Sequence, residues 1–366
     1  MLTAARHRSG PAGTTVPAAA STVAPGWLHG APVGVEVTAA FGTAVYLRHG
    51  QDVLALLAPE ALLLPGGVRL TSTADLHALG LSVGDRVVVG EGQVLATGAR
   101  LEVRRSWRPR RVGTGSIPRQ ASPAPVPSPL TRLADLLLAA AGDAAGLGDA
   151  ARLVDPARLG DAAGLGDAAG LGDAARLVDP ARLVDPARLV GLGPGLTPAG
   201  DDLLCGMLLG LRATGAEADR AALWSRTAPL LDRTTALSAT LLRHAADGYA
   251  VPPVLDLVRA LAGAAPDDGE PAGRAEGTST TGLQSHLDAV VAVGHTSGRA
   301  LLHGLATALH HAALRHAGPR HAALHHAGPR HADPRHAARE AGDAPAPPHT
   351  RSLVVAPAAT PTRGPL

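Results

Sequence analysis

GLGPGLTPAGDDLLCGMLLG, residues Gly191 to Gly210, is the stretch around which the rest of the chain is read. Its first half sets glycines at 191, 193, 195 and 200 among prolines at 194 and 198. Backbone freed at some positions and locked at others suits a tight loop of fixed shape. From Leu203 to Leu211 the run turns apolar and reads as a buried helix. Thr197 suits the N-cap and Pro198 the first helical position, with Asp201 and Asp202 near the positive end of the dipole. A glycine-rich loop feeding a helix start exposes unpaired N–H groups that bind phosphate or carboxylate. Gly193, Gly195, Thr197 and Gly200 are therefore expected to touch substrate. Two bare carboxylates would repel an anion. Either Mg²⁺ mediates at Asp201 and Asp202, or the aspartates take another group, or they only cap the helix. A Walker loop is excluded, because the chain has no lysine at all.

Composition narrows the class. In 366 residues, 46% are hydrophobic but only 2% aromatic, so Leu, Val and Ala must supply the core. All 33 basic residues are arginine, asparagine is missing and isoleucine occurs once, the bias of a GC-rich gene. Arginine richness is then poor support for nucleic-acid binding, and a formal charge of +2 favours no strongly charged partner. The single cysteine, Cys205, excludes an internal disulfide, and its apolar surroundings suggest a buried thiol. Neither a signal peptide nor an apolar span of membrane length is seen, so a cytoplasmic protein without membrane attachment is expected.

Taken in order, residues 1–25 read as disordered. Residues 26–112 carry short apolar or alternating runs broken by glycine pairs, the texture of a small β-barrel or sandwich. Residues 113–130 read as a proline- and serine-rich linker. Residues 131–310 read as a mainly helical domain, interrupted over 142–190 by a low-complexity insertion that repeats GLGDAA and ARLVDP. Helices are expected from TRLADLLLAAAGDA, over 217–232, over 234–249, from PPVLDLVRALAG, and on either side of GHTSG (294–298). From His311, HAALRHAGPR and its near-copies read as tandem expansion with proline every decade, so 311–366 is expected to be a disordered tail. The expected class is α+β.

Two further sets of residues stand out. GHTSG breaks an apolar helical run with His295, Thr296 and Ser297 between two glycines. It would cap the next helix, or hold an oxyanion with His295 as general acid or base. Thr235 and Ser238 lie on one face of a helix, where hydroxyls either bond back to the backbone or face a ligand. If the turn before Leu203 and the turn before Leu301 converge, they enclose one small-molecule site.

GLGPGLTPAGDDLLCG, then TTALSATLLRHAADG, then VGHTSGRALLHGL, behind a β-rich domain, resembles the AllH-like family, formerly a domain of unknown function. The likeness is loose over 27–112 and close over 191–309; Ala199 stands where that family commonly has serine. The resemblance implies a subunit of an oxamate carbamoyltransferase of allantoin degradation, interconverting oxamate plus carbamoyl phosphate with oxalurate plus phosphate. It also implies FdrA-like and AllG-like partner subunits. On that reading Asp201, Asp202 and His295 are the catalytic candidates, Asp201 and Asp202 the metal candidates. Gly193, Gly195, Thr197, Gly200, Thr235, Ser238, Thr296, Ser297 and Gly298 would bind substrate. A non-catalytic docking subunit of the same complex is the alternative. A serine hydrolase using Ser297 or Ser238 with His295 is more remote, since no GxSxG elbow is present.

Overall fold

A computed structural model describes residues 14–117, 129–142, 184–263 and 280–317. The α+β class holds: an N-terminal closed barrel is followed by a helical region. The eight strands are β1 (Thr15–Ser21), β2 (Val33–Ala40), β3 (Ala44–His49), β4 (Asp52–Leu57), β5 (Val68–Leu70), β6 (Arg86–Gly90), β7 (Gln93–Leu95) and β8 (Arg100–Trp107). They close in the order β1-β5-β4-β3-β2-β6-β7-β8. Along β2 buried and less buried residues alternate, sending Val35 and Val37 inward to meet Leu47, Leu54 and Leu101. A short helix α1 (Thr73–Ala78), capped by Ser72, bridges β5 and β6.

Strand β1 corrects the expectation of a disordered stretch over 1–25, because Thr15–Ser21 closes the barrel. It runs antiparallel to β5 and parallel to β8. Its inward residues are Val16, Ala18 and Ala20. Alanines carry too little hydropathy contrast to announce a period of two, so only the ladder partners reveal the strand.

DVLALL of β4 is apolar almost without interruption, the mark of a strand buried on both faces. Leu54 and Leu56 belong to the barrel core, whereas Val53, Ala55 and Leu57 belong to the helical core. The Val53 N–H donates to Thr240 Oγ1 at 3.2 Å. That shared strand brings the barrel against the helices.

The helical region comprises α2 (Pro129–Ala141), α3 (Pro186–Leu189), α4 (Ala199–Ala213), α5 (Glu217–Thr227), α6 (Ala236–Ala246), α7 (Pro252–Leu261), α8 (Thr280–Val291) and α9 (Ser297–Ala317). Except for Arg212, every residue of α4 is buried, as befits a helix apolar on all sides. Helix α9 lies against it at backbone contact. A Cβ added to Gly206 would stand 2.2 Å from the Leu301 carbonyl oxygen, and one added to Gly304 would stand 2.0 Å from that of Leu203.

Several boundaries move. The helix expected over 217–232 stops at Thr227, and a 3₁₀ turn, Ala228–Arg233, follows. Pro229 lacks the N–H that an α-helix would use there. The expected linker is anchored at its start: the Ile117 N–H donates to the Ala213 carbonyl, and Ile117 is buried. The expected insertion over 142–190 is ordered at its end, where Val184, Leu189 and Val190 join the core; residues 143–183 lie outside the described residues. The first residues of the tail expected from 311 are helical instead, since α9 runs to Ala317. His311, only 1% exposed, bonds to Asp219 at 2.9 Å, and Arg315 donates to the same carboxylate at 2.7 Å. Residues 311–317 contain no proline, so none of them interrupts the helix. The rest of the tail lies outside the described residues.

Candidate functional site

The glycine-rich loop is built on positive-φ glycines, Gly191 (+77°), Gly193 (+112°) and Gly195 (+98°). L-residues rarely adopt this backbone, and that accounts for the glycine density. Asp201 ties the loop down. Its Oδ1 accepts from the Gly191 N–H at 2.9 Å, and its Oδ2 accepts a short hydrogen bond from Thr234 Oγ1. Burial raises its pKa against the pull of these bonds and of Ser238. Thr235 caps α6 by accepting from the Ser238 N–H at 3.1 Å, and it donates to the Leu196 carbonyl at 2.6 Å. Thr234, Thr235 and Asp201 are thus struts of the loop.

The start of α4 differs from expectation. Pro198, not Thr197, is the N-cap, and it makes no side-chain cap bond. The N–H groups of Gly200, Asp201 and Asp202 already reach carbonyls of Leu192 and Pro198. This helix start therefore offers an anion fewer donors than the glycine run implies.

Thr197 turns outward from the cap and meets the second loop. Its Oγ1 lies 2.9 Å from Ser297 Oγ. The two turns, a hundred residues apart in sequence, therefore converge. Gly294 (φ +58°) shapes the second turn, and Gly298 packs it so closely that a Cβ would stand 1.9 Å from the Val290 carbonyl oxygen.

Asp202 lies beneath this junction, 5% exposed, and its Oδ2 is buried with no hydrogen-bond partner. Burial pushes its pKa up to about 7, and the neighbouring Asp201 charge adds to the rise; the hydroxyls of Ser297 and Thr197 pull it back. A buried carboxylate oxygen left without a partner is costly unless a ligand completes it.

Asp202, Thr197 and Ser297 open onto a cavity of about 260 Å³ between the barrel and the helices. The barrel contributes Phe41, Tyr46, Leu62, Leu64 and Pro65, and α4 adds Cys205 and Leu209. Leu237, Leu241 and His244 line it from α6, and Tyr249 and Val254 complete that side. The walls are chiefly apolar, and among the described lining residues there is no arginine. Burial holds the Cys205 thiol protonated by raising its pKa well above the ordinary value.

His244 was not anticipated from sequence. Burial lowers its pKa, so it is neutral, while the Val23 carbonyl accepts a hydrogen bond from the ring. The ring fits only because Gly66 has no side chain: a Cβ there would lie 2.7 Å from the imidazole Cε1. Tyr249 packs edge-on at 6.2 Å, and the His244 Nδ1 is buried without a partner. The signal was the spacing of Leu237, Leu241 and His244, at i, i+4 and i+7 on one face of α6. Thr235 and Ser238 mark a different face.

Of the residues expected from sequence, Thr197, Asp202 and Ser297 line the cavity together. Asp201, Gly193, Gly195, Gly200, Thr235, Ser238, Thr296 and Gly298 shape or support the two turns without lining it. His295 is exposed and outside the lining. Both Asp201 oxygens are engaged by the loop, so Asp202 is the one carboxylate of the pair that reaches the cavity. Of the two serines in the hydrolase alternative, Ser297 pairs with Thr197, and Ser238 is buried outside the cavity lining, as His295 is outside it.

Residues 189–309 match the AllH family. Its description is oxamate carbamoyltransferase subunit AllH. The resemblance drawn from the motifs therefore holds over this segment, which carries both turns, Asp202 and His244. The barrel lies outside the AllH match. No solved structure matches the chain. Among the described residues, no helix is long and apolar enough to cross a membrane.

Proposed function

We propose that this chain is a subunit of an oxamate carbamoyltransferase acting with FdrA-like and AllG-like subunits in the cytoplasm, and that its cavity holds the amide end of oxamate. The observation that carries the reading is the unpartnered Asp202 Oδ2 where the two turns meet. Asp202 Oδ2 and His244 Nδ1 are both acceptors, so they complement N–H donors better than they complement an anion. In the transfer, the oxamate amide nitrogen attacks the carbamoyl carbon of carbamoyl phosphate. The new C–N bond forms as the C–O bond to phosphate breaks, and the amide proton passes to Asp202. A carboxyl with a pKa near 7 is matched to that task at neutral pH. Thr197 and Ser297 orient the amide beside it.

The test is turnover of the reconstituted complex, measured as phosphate release from carbamoyl phosphate with oxamate. Asp202→Asn should lower kcat by about 100-fold, the usual scale for losing a general base. Exposed His295→Ala should leave the rate unchanged. A complex that assembles with Asp202→Asn and turns over at the wild-type rate would leave this chain a docking subunit and end the catalytic assignment.

A further inference from the structure

Four large apolar side chains stand exposed among the described residues: Phe41 (54%), Leu62 (38%), Val83 (64%) and Leu196 (38%). Phe41, Leu62 and Leu196 also line the cavity, so they form its mouth; Val83 does not line it. They come from three separate segments: the β2–β3 turn, the β4–β5 connection and the glycine-rich loop. Phe41 is held in place, its N–H donating to the Ala44 carbonyl at 2.7 Å and its ring meeting Tyr46 edge-on at 6.0 Å. A fixed aromatic and two leucines turned to water around a cavity are the marks of an interaction site.

The charge inside the mouth is one-sided. Asp202 is the one carboxylate among the described lining residues, no arginine joins it, and the chain contains no lysine. A leaving phosphate needs cationic groups where its charge develops. A second copy of this chain would place the same apolar rim against itself by two-fold symmetry, and the lining residues it would offer include no arginine or lysine.

We infer that the Phe41–Leu62–Leu196 rim is the docking face for a different subunit, which seats apolar side chains on the rim and presents an arginine or lysine to the cavity. The inference rests on the carbamoyltransferase reading and deepens it: the site is completed across an interface. The leaving phosphate, repelled by Asp202, faces that cation.

The experiment co-expresses the full chain with the proposed partner subunits and measures association by sedimentation velocity. Variants are F41D/L62D, the milder F41S/L62S, and V83D as a control on an exposed hydrophobe away from the mouth. Wild type and V83D should co-sediment with the partner, while both rim variants should bind at least tenfold more weakly and keep the wild-type melting curve. Inorganic phosphate should bind the assembled complex and not the isolated chain in calorimetry. Rim variants that assemble like wild type, self-association of the isolated chain through this face, or phosphate binding by the isolated chain would each overturn the inference. Failure of the wild type to assemble would remove the carbamoyltransferase reading as well, whereas an active Asp202→Asn complex would remove only the catalytic role.

Discussion

Replacing Asp202 by asparagine should make the protein more stable at alkaline pH while removing its activity. The folded pKa is about 7, against about 3.9 for an unfolded aspartate. A carboxyl whose pKa is higher in the folded state loses its proton first in the unfolded chain, so rising pH favours unfolding. The penalty is absent below pH 4, grows from there to pH 7 and is complete above it. Three pH units at about 1.36 kcal/mol each amount to about 4 kcal/mol. Asparagine keeps the shape and carries no charge, so the variant escapes that penalty. Urea unfolding at pH 5, 6, 7 and 8 measures it: the wild type should lose stability relative to Asp202→Asn across the series, with the gap widest at pH 8. The lowered pKa of His244 acts in the opposite sense, costing stability as pH falls. It is common to both proteins and cancels in the difference. Parallel pH profiles, or a variant less stable than wild type at pH 8, would refute the claim that burial of Asp202 outweighs the two hydroxyls beside it.

Gly304→Ala places a methyl group 2.0 Å from the Leu203 carbonyl oxygen and 2.8 Å from the Met207 nitrogen, so α4 and α9 must separate. Overpacking of this kind costs about 1–3 kcal/mol, readable as a lower urea midpoint, and the added cost of Gly206→Ala should be smaller once the helices have parted. Asp219→Ala removes the acceptor that His311 and Arg315 share, with an expected loss of about 1.5–3 kcal/mol and faster hydrogen exchange at the end of α9. A neutral result there would mean that the last turns of α9 contribute nothing to the core.

Local chemistry made part of this protein legible without coordinates. Positive-φ glycines, a proline at a helix start, and apolar residues spaced for helices or strands are properties of short windows. They announced the loop before α4, the break before α9 and the β-rich character of residues 26–112. The AllH resemblance also lay in contiguous motifs. Tertiary structure decided the rest. The alanine-rich Thr15–Ser21 becomes a strand only because β5 and β8 offer it ladder partners. Asp201 and Asp202 are sequence neighbours with equal claims to chemistry, yet adjacent residues of a helix point about 100° apart. One therefore turns to the Gly191 N–H and Thr234, the other to the cavity. His295 was drawn in by its neighbours Thr296 and Ser297 and faces solvent, while His244 lines the cavity because of the face of α6 that meets the barrel. Burial and facing are sums over distant parts of the chain, so no short window contains them.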